Sequence, residues 1–386
     1  MLNIFFLGLV SFFSDVSTYM VYPLIPLYLM ATFGATPGLI GVIEGIAESL
    51  ASLLKVFSGY ISDRFQKKKS IAFIGYAAGA LYKLALIFAS TWPGILLARL
   101  VDRTGKGIRT APRDVLISES INADNQGKAF GLHKAMDMLG AAVGILLAYF
   151  ILNTIDAETT TSGEYKNLFM ISVIPALMGL LMFFFIRQKK TQKQEKNREK
   201  FWKNLRKVDN QLRFYLFIVF LFTLGNSSNT FLLIKAKSVG FDDAQVILLY
   251  FLYNIIASLL AMPFGRLSDK IGRKSLLVPG YLCFSLCYLG FAFSADSKLL
   301  IVSFILYGIY TAMIIGVERA FVAELSPPQL KGTMLGLQST LAGIALLPAS
   351  VIAGLLWDSF GSAAPFLFGA ILSFISAVLL IIFLRR

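Results

Sequence analysis

Five carboxylates and seven cations lie inside apolar stretches of the first half of this chain. The acidic ones are Asp15, Glu44, Glu48, Asp102 and Asp137, and the basic ones are Lys55, Lys83, Arg99, Arg103, Lys106, Arg109 and Lys134. An ionisable side chain in an apolar medium is costly unless paired or wetted, so each marks a pairing network or a site. Two kinds of chemistry suit this set. A carboxylate that gains and loses a neighbouring cation can take up and release a proton. An Arg or Lys whose charge is not spent on a neighbour can hold a carboxylate or phosphate, Arg through a bidentate fork.

The densest stretch reads Arg99-Leu-Val-Asp102-Arg103-Thr-Gly-Lys106-Gly-Ile-Arg109-Thr-Ala-Pro-Arg113-Asp114. Helical spacing puts Arg99, Arg103 and Lys106 on one face and Asp102, Lys106, Arg109 and Arg113 on the next. Gly105 and Gly107 are expected to loosen this helix, and Pro112 to kink it. Two arrangements stay open. Asp15 or Glu48 pairs with Arg99 or Arg103 in a fixed network, or one or two cations await an anionic group while a carboxylate carries a proton. The proton candidates rank Asp15, Glu48, Asp137, then Glu44. His133, the only histidine, lies one turn before Asp137. The second half of the chain offers Glu318 and Arg319, with Lys235 and Lys237 at a helix end. It also carries the neutral run Asn226-Ser227-Ser228-Asn229, whose Asn226 and Asn229 either bind a solute or join helices.

The elements that must hold these residues are membrane helices. The chain has 386 residues, 56% apolar and 15% charged, against about 25% charged in soluble domains. Twelve apolar segments of about 20 residues can each cross a bilayer core of about 30 Å. They are read at 3–30, 38–60, 71–90, 94–118, 127–152, 167–187, 212–234, 243–263, 275–294, 299–321, 329–354 and 363–384. Each is continuous, whereas a barrel would show alternating runs of about ten residues. No room remains for a soluble domain, and no secretory signal is expected because the first run continues past Pro23 and Pro26. Lys and Arg crowd alternate loops, from Arg64 and Lys67–Lys69 to Arg385 and Arg386, while the opposite loops carry Asp156, Glu158, Asp242, Asp296 and Asp358. Both termini and the basic linker 188–211 are therefore expected on the cytoplasmic side of the plasma membrane. Phe201, Trp202 and Leu205 could form a short interfacial helix in that linker. The net charge of +14 sits in these loops, so it does not point to nucleic acid. Cys283 and Cys287, four apart, read as a buried pair.

The halves on either side of the linker echo one another. Gly59-Tyr-Ile-Ser-Asp63-Arg64 and Gly265-Arg-Leu-Ser-Asp269-Lys270 lie 206 residues apart, as do Arg113 and Arg319. Gly127-Lys-Ala-Phe-Gly131 matches Gly332-Thr-Met-Leu-Gly336 at nearly the same offset. Two parallel six-helix halves result, at 1–187 and 212–386.

The pattern G-x-x-x-D-[RK]-x-G-R-[KR] after spans two and eight resembles the signature of the major facilitator superfamily. The second copy fits in full; the first has Gln66 for Gly and Lys67 for Arg. The resemblance covers essentially the whole chain. It implies an all-α membrane protein of twelve helices in two pseudo-symmetric bundles, working as a secondary transporter by alternating access. It implies a conformational latch at Gly59, Asp63, Arg64, Arg113, Gly265, Asp269 and Arg273, with the glycines permitting close helix approach. It also implies that spans one, four, seven and ten line the cavity, with Asp15 opposite the Arg99–Arg103 turn. Span three would face lipid, so that Lys83 would snorkel.

The expected solute is a small organic anion or zwitterion, coupled to protons or sodium. Proton-driven efflux of amphiphiles is the alternative, although the stretch Gly140-Ala-Ala-Val-Gly144 lacks the proline of the exporter motif. A sensor or lipid scramblase on the same scaffold is a further alternative. A monomer in the bilayer suffices. No enzyme activity and no cofactor is expected: there is one histidine and no metal-ligand spacing, and Gly105-Lys106 lacks the rest of a phosphate loop.

Overall fold

The computed structural model describes residues 2–65, 67–120, 126–153, 162–188, 209–314, 316–327 and 331–383. These residues are helical throughout, joined by short turns, with no strand among them. Eleven runs are long and apolar enough to cross a membrane. The helix α5 (Trp92–Glu119) has the length but is too charged to qualify on composition, and it completes the twelve spans of an all-α membrane protein. Large apolar side chains face outward, among them Phe88, Phe184, Leu259 and Phe360, each more than two-thirds exposed. In a bilayer that surface meets lipid.

Span one is two helices. α1 (Leu2–Val21) ends where Pro23 removes an N–H, a tight turn of Tyr22–Leu24 follows, and α2 (Ile25–Phe33) closes on Gly34 in the left-handed region at φ 59°. α3 (Pro37–Phe65), α4 (Lys68–Phe88), α6 (Gln126–Asn153) and α7 (Ser162–Met182) complete the first half with α5. Span seven is also divided, into α8 (Asn210–Gly225) and α9 (Thr230–Ser238), and span ten into α12 (Ser297–Ile314) and α13 (Val317–Leu325). Between and after these run α10 (Asp243–Ile271), α11 (Arg273–Phe293), α14 (Lys331–Phe360) and α15 (Ala364–Phe383). Several helices outrun the apolar segments. α10 has 29 residues, about 44 Å at 1.5 Å per residue, because it continues through polar residues that hydropathy excludes.

Two compact units make up the chain. The first holds Met1–Thr36, Ile46–Gln192 and Phe241–Phe251; the second holds Pro37–Gly45, Lys193–Gly240 and Leu252–Arg386. Each contains one helix end from the other half of the sequence.

In the first unit α1 packs against α6 and α7, and α4 against α5 and α7. Glycines make the close crossings. A Cβ on Gly140 or Gly144 would lie 2.4 Å from the carbonyl oxygen of Phe12 or Val16, so α6 lies directly on the backbone of α1. The Gly140–Gly144 pair is thus a packing stripe. Gly105 and Gly107 do not loosen α5, which is continuous. Gly105 meets the Gly75 carbonyl of α4, and Gly107 meets Leu54 of α3, so both are contact points. Gly144→Ala is expected to force α6 off α1 and cost roughly 1–3 kcal/mol. Gly131→Ala, where a Cβ would meet open space, should leave the melting temperature unchanged or raise it. Equal melting temperatures for the two variants would contradict this packing.

The second unit has an aromatic core. Phe222 stacks on Tyr281 at 4.3 Å between centroids, Phe284 stacks on Tyr288 at 3.9 Å, and Tyr310 meets Phe284 edge-on at 4.7 Å. Cys283 and Cys287 donate to the carbonyls of Leu306 and Ser303, tying α11 to α12. The first turns of α3 pack here on α14: Gly41 and Gly45 approach the carbonyls of Ser350 and Leu347, and the Gly38 N–H donates to Asp358 at 3.0 Å.

Candidate functional site

The Pro23 turn sets the first feature of the site. It places the Tyr22 ring between two guanidinium groups, with the Arg99 and Arg103 carbons each 5.2 Å from its centroid. Arg99 is 1% and Arg103 2% exposed. Asp102 lies 3.8 Å from Arg99 Nη1 and 3.6 Å from Arg103 Nε, and Glu48 lies 3.1 Å from Arg103 Nη2. Lys83 Nζ, Asp102 Oδ1 and Arg109 Nη1 converge on the bare Cα of Gly79. Arg109 also stacks over Tyr76 at 4.3 Å. Buried Lys83, Arg99, Arg103 and Arg109 meet Asp102 and Glu48, and Asp15 also acts on Lys83, so among the described residues four cations stand against three carboxylates. Lys106, half-buried, ion-pairs with none of the described residues, and the charges acting on it are chiefly those of Arg103, Glu48, Lys55 and Asp102.

A second group lies along α1 and α6. Ser11 Oγ is 2.8 Å from His133 Nε2 and 2.9 Å from the Tyr76 hydroxyl. His133 Nδ1 lies 3.7 Å from Asp137 Oδ2. Asp137 Oδ1 is buried with no hydrogen-bond partner. The largest charge acting on Asp15 is that of Asp137, followed by Arg109, Lys106 and Arg113. Asp137, His133, Ser11 and Tyr76 thus form a polar file that ends under Arg109.

This geometry revises several expectations. The charges that act most on Asp15 are those of Asp137, Arg109, Lys106 and Arg113 rather than those of the Arg99–Arg103 turn. That turn is filled by Tyr22, Asp102 and Glu48, while Gly140 and Gly144 draw α6 onto α1. Lys83 does not snorkel: it is 1% exposed and donates to Thr18 at 3.3 Å. Glu44, 1% exposed, lies in the second unit on the α3 segment packed against α14. Lys134 is exposed. Arg103 is engaged by Glu48, while Lys106 ion-pairs with none of the described residues. Sequence reasoning missed Tyr22, Tyr76 and Ser11. Ser11 had a signal, since Ser11, Asp15 and Thr18 recur at helical spacing on α1.

In span seven the unwound turn holds Asn226 and Asn229 against neighbouring tyrosines. Asn226 donates to the Tyr310 hydroxyl, Asn229 donates to Tyr253, and Tyr307 donates to Asn229, at 2.7–3.0 Å. These bonds tie the turn to α10 and α12. Glu318 accepts from the Tyr281 hydroxyl at 2.8 Å and borders a cavity with the exposed Arg319.

Of the latch residues, Gly59, Asp63 and Arg64 have side chains outside the described residues. In the second copy Arg273 donates to the Ala320 carbonyl and to Glu324, at 2.9 and 2.7 Å, and lies 3.8 Å from Asp269. It therefore fixes the start of α11 to α13. Gly265 is not a close-approach point, since a Cβ there would meet nothing within 4 Å. Arg113 bonds its neighbour Asp114 at 2.9 Å.

The family model of the Major Facilitator Superfamily matches residues 7–234 and 215–386. An uncharacterised transporter of that type from Methanocaldococcus jannaschii is 35% identical over 98% of this chain and 94% of its own length. The multidrug resistance protein MdtH of Photorhabdus laumondii is 24% identical over 82% of this chain and 77% of its own. Among solved structures, the D323A mutant of the nucleoside transporter NupG aligns with a TM-score of 0.83 at 15% identity, covering 99% of this chain and all of that one. With twelve membrane helices, the repeated loop signature and these matches, the chain belongs to the major facilitator superfamily of membrane transporters.

Proposed function

We propose that this transporter moves a small organic solute bearing an anionic group, alone or in a zwitterion, and couples the movement to protons by alternating access. The carrying observation is the positive excess of the buried cluster, with Lys106 half-buried and ion-paired to none of the described residues beside Arg103. A cation held at the edge of a fixed network can grip a carboxylate or phosphate without dismantling it. Asp15 and Asp137 supply the proton. The termini lie in the cytoplasm in this reading, the halves 1–187 and 212–386 are joined by the basic linker, and a monomer suffices.

The test uses purified protein in proteoliposomes. An inward proton gradient is imposed, and internal pH is followed as pools of organic anions, then lipophilic cations, are added. Proton flux is expected with the anions. Lys106→Gln should raise the half-saturating anion concentration at least about tenfold, as expected for a lost charge-assisted contact. A flux unaltered by this variant, or one seen with lipophilic cations alone, rejects the anionic reading. The second outcome would favour efflux of amphiphiles, a reading supported by the similarity to MdtH and by the aromatic core of the second unit.

A further inference from the structure

An open cavity of about 310 Å³ is lined by residues of the second unit, from α8, α12, α13 and α14. Its polar lining is one-sided. Thr223, Thr311 and Ser339 line it, and each hydroxyl proton is already donated to a carbonyl of its own helix. The acceptors are Val219, Tyr307 and Leu335, at 2.7, 2.7 and 3.0 Å. Only lone pairs remain to face the cavity. Glu318 adds carboxylate oxygens, one of which accepts from Tyr281. Gln338, 6% exposed, adds an amide oxygen that is buried with no hydrogen-bond partner among the described residues. A buried acceptor without a donor is costly, and Gln338 is one of the residues that line the cavity. The donors on the lining are the Tyr310 hydroxyl, which itself accepts from Asn226, the Gln338 amide, and Arg319, which is exposed.

We propose that this cavity binds a monovalent cationic group through oxygen atoms: the carboxylate of Glu318, the amide oxygen of Gln338 and the hydroxyls of Thr223, Thr311 and Ser339. Carboxylate, amide and hydroxyl oxygens together suit an alkali cation, and they equally accept the N–H groups of a primary ammonium. The site lies in the other unit from the cationic cluster. Its test reads melting rather than transport, so it stands or falls apart from the anionic-solute reading.

The probes are sodium and methylammonium, each titrated into purified protein at constant ionic strength against choline, whose methylated head has no N–H and keeps oxygens at a distance. A ligand that binds the folded state raises the melting temperature with its concentration. A saturable rise with sodium identifies an alkali cation, and one with methylammonium identifies an organic ammonium. Glu318→Gln is expected to raise the half-saturating concentration at least about tenfold. Gln338→Leu should melt higher than wild type without any probe, because the orphaned amide is gone, and should show a weakened response to the cation. The second variant keeps the test decisive if Glu318→Gln folds poorly. No rise with either cation in the wild type, or an undiminished rise in Gln338→Leu, overturns the proposal.

Discussion

Asp102→Asn is expected to remove most of the folded protein. Asp102 is 3% exposed and lies against Arg99, Arg103 and Lys83, all nearly fully buried. Removing the carboxylate leaves these cations facing each other, with Glu48 beside Arg103 and Asp15 acting on Lys83 as the remaining offsets. Stripping one partner from a buried charge group costs about 3–5 kcal/mol, a large part of the stability of an ordinary domain. The measurement is the yield of monodisperse protein and its melting temperature in detergent. Glu48→Gln should be milder, because the Glu48 side chain is 24% exposed and water can compensate the loss. Adding Lys83→Met to Asp102→Asn should recover part of the stability, since it deletes one of the orphaned cations. Wild-type yield and melting for Asp102→Asn would refute the ion cluster as the organising centre of the first unit.

Asp15→Asn and Asp137→Asn are expected to act in the opposite manner, sparing the fold and abolishing coupling. Each Asn mimics a permanently protonated carboxyl. Gradient-driven flux should fall to the background of empty liposomes, while exchange of solute without a gradient continues, because exchange requires no proton release. The melting temperature should hold or rise, since Asp15 has no ion-pair partner among the described residues and Asp137 leaves one oxygen unbonded. Full gradient-driven transport in both variants would remove this carboxylate pair from the coupling mechanism.

The span count and helical class were legible because the bilayer imposes them: a buried backbone must bond within itself, so an apolar run of adequate length can be little else than a helix. Boundaries were less legible. α7 begins at Ser162, ahead of the apolar run, since its first turn is polar and carries Glu164, which suits a helix N-terminus. Tyr165 is there buried and donates to Asp243 within the first unit. The charged residues were legible as a set, because their cost in an apolar medium is independent of the fold. Their pairing was not. Which carboxylate meets which cation depends on helix rotation, and that is fixed by small contacts such as Gly75 on Gly105 and Gly144 on Val16. Lys83 shows the limit plainly. Its placement at the lipid face came from the behaviour of a family, whereas Gly79 and Thr18 draw it inward here. The aromatic partners were harder still. Tyr22 among 15 tyrosines carries no mark in the sequence beyond the proline that follows it.

The single histidine of the chain occupies an unusual station: one ring nitrogen rests on Ser11, and the other looks toward Asp137. Isotopic labelling of histidine would therefore yield one imidazole resonance from the entire protein, with no assignment problem. Because the two ring nitrogens have different neighbours, the tautomer and protonation of that imidazole report separately on the α1 side and the α6 side. The transporter thus carries a native spectroscopic reporter 3.7 Å from Asp137, one of the two carboxylates proposed to hold its proton, and proton occupancy can be followed without attaching any probe.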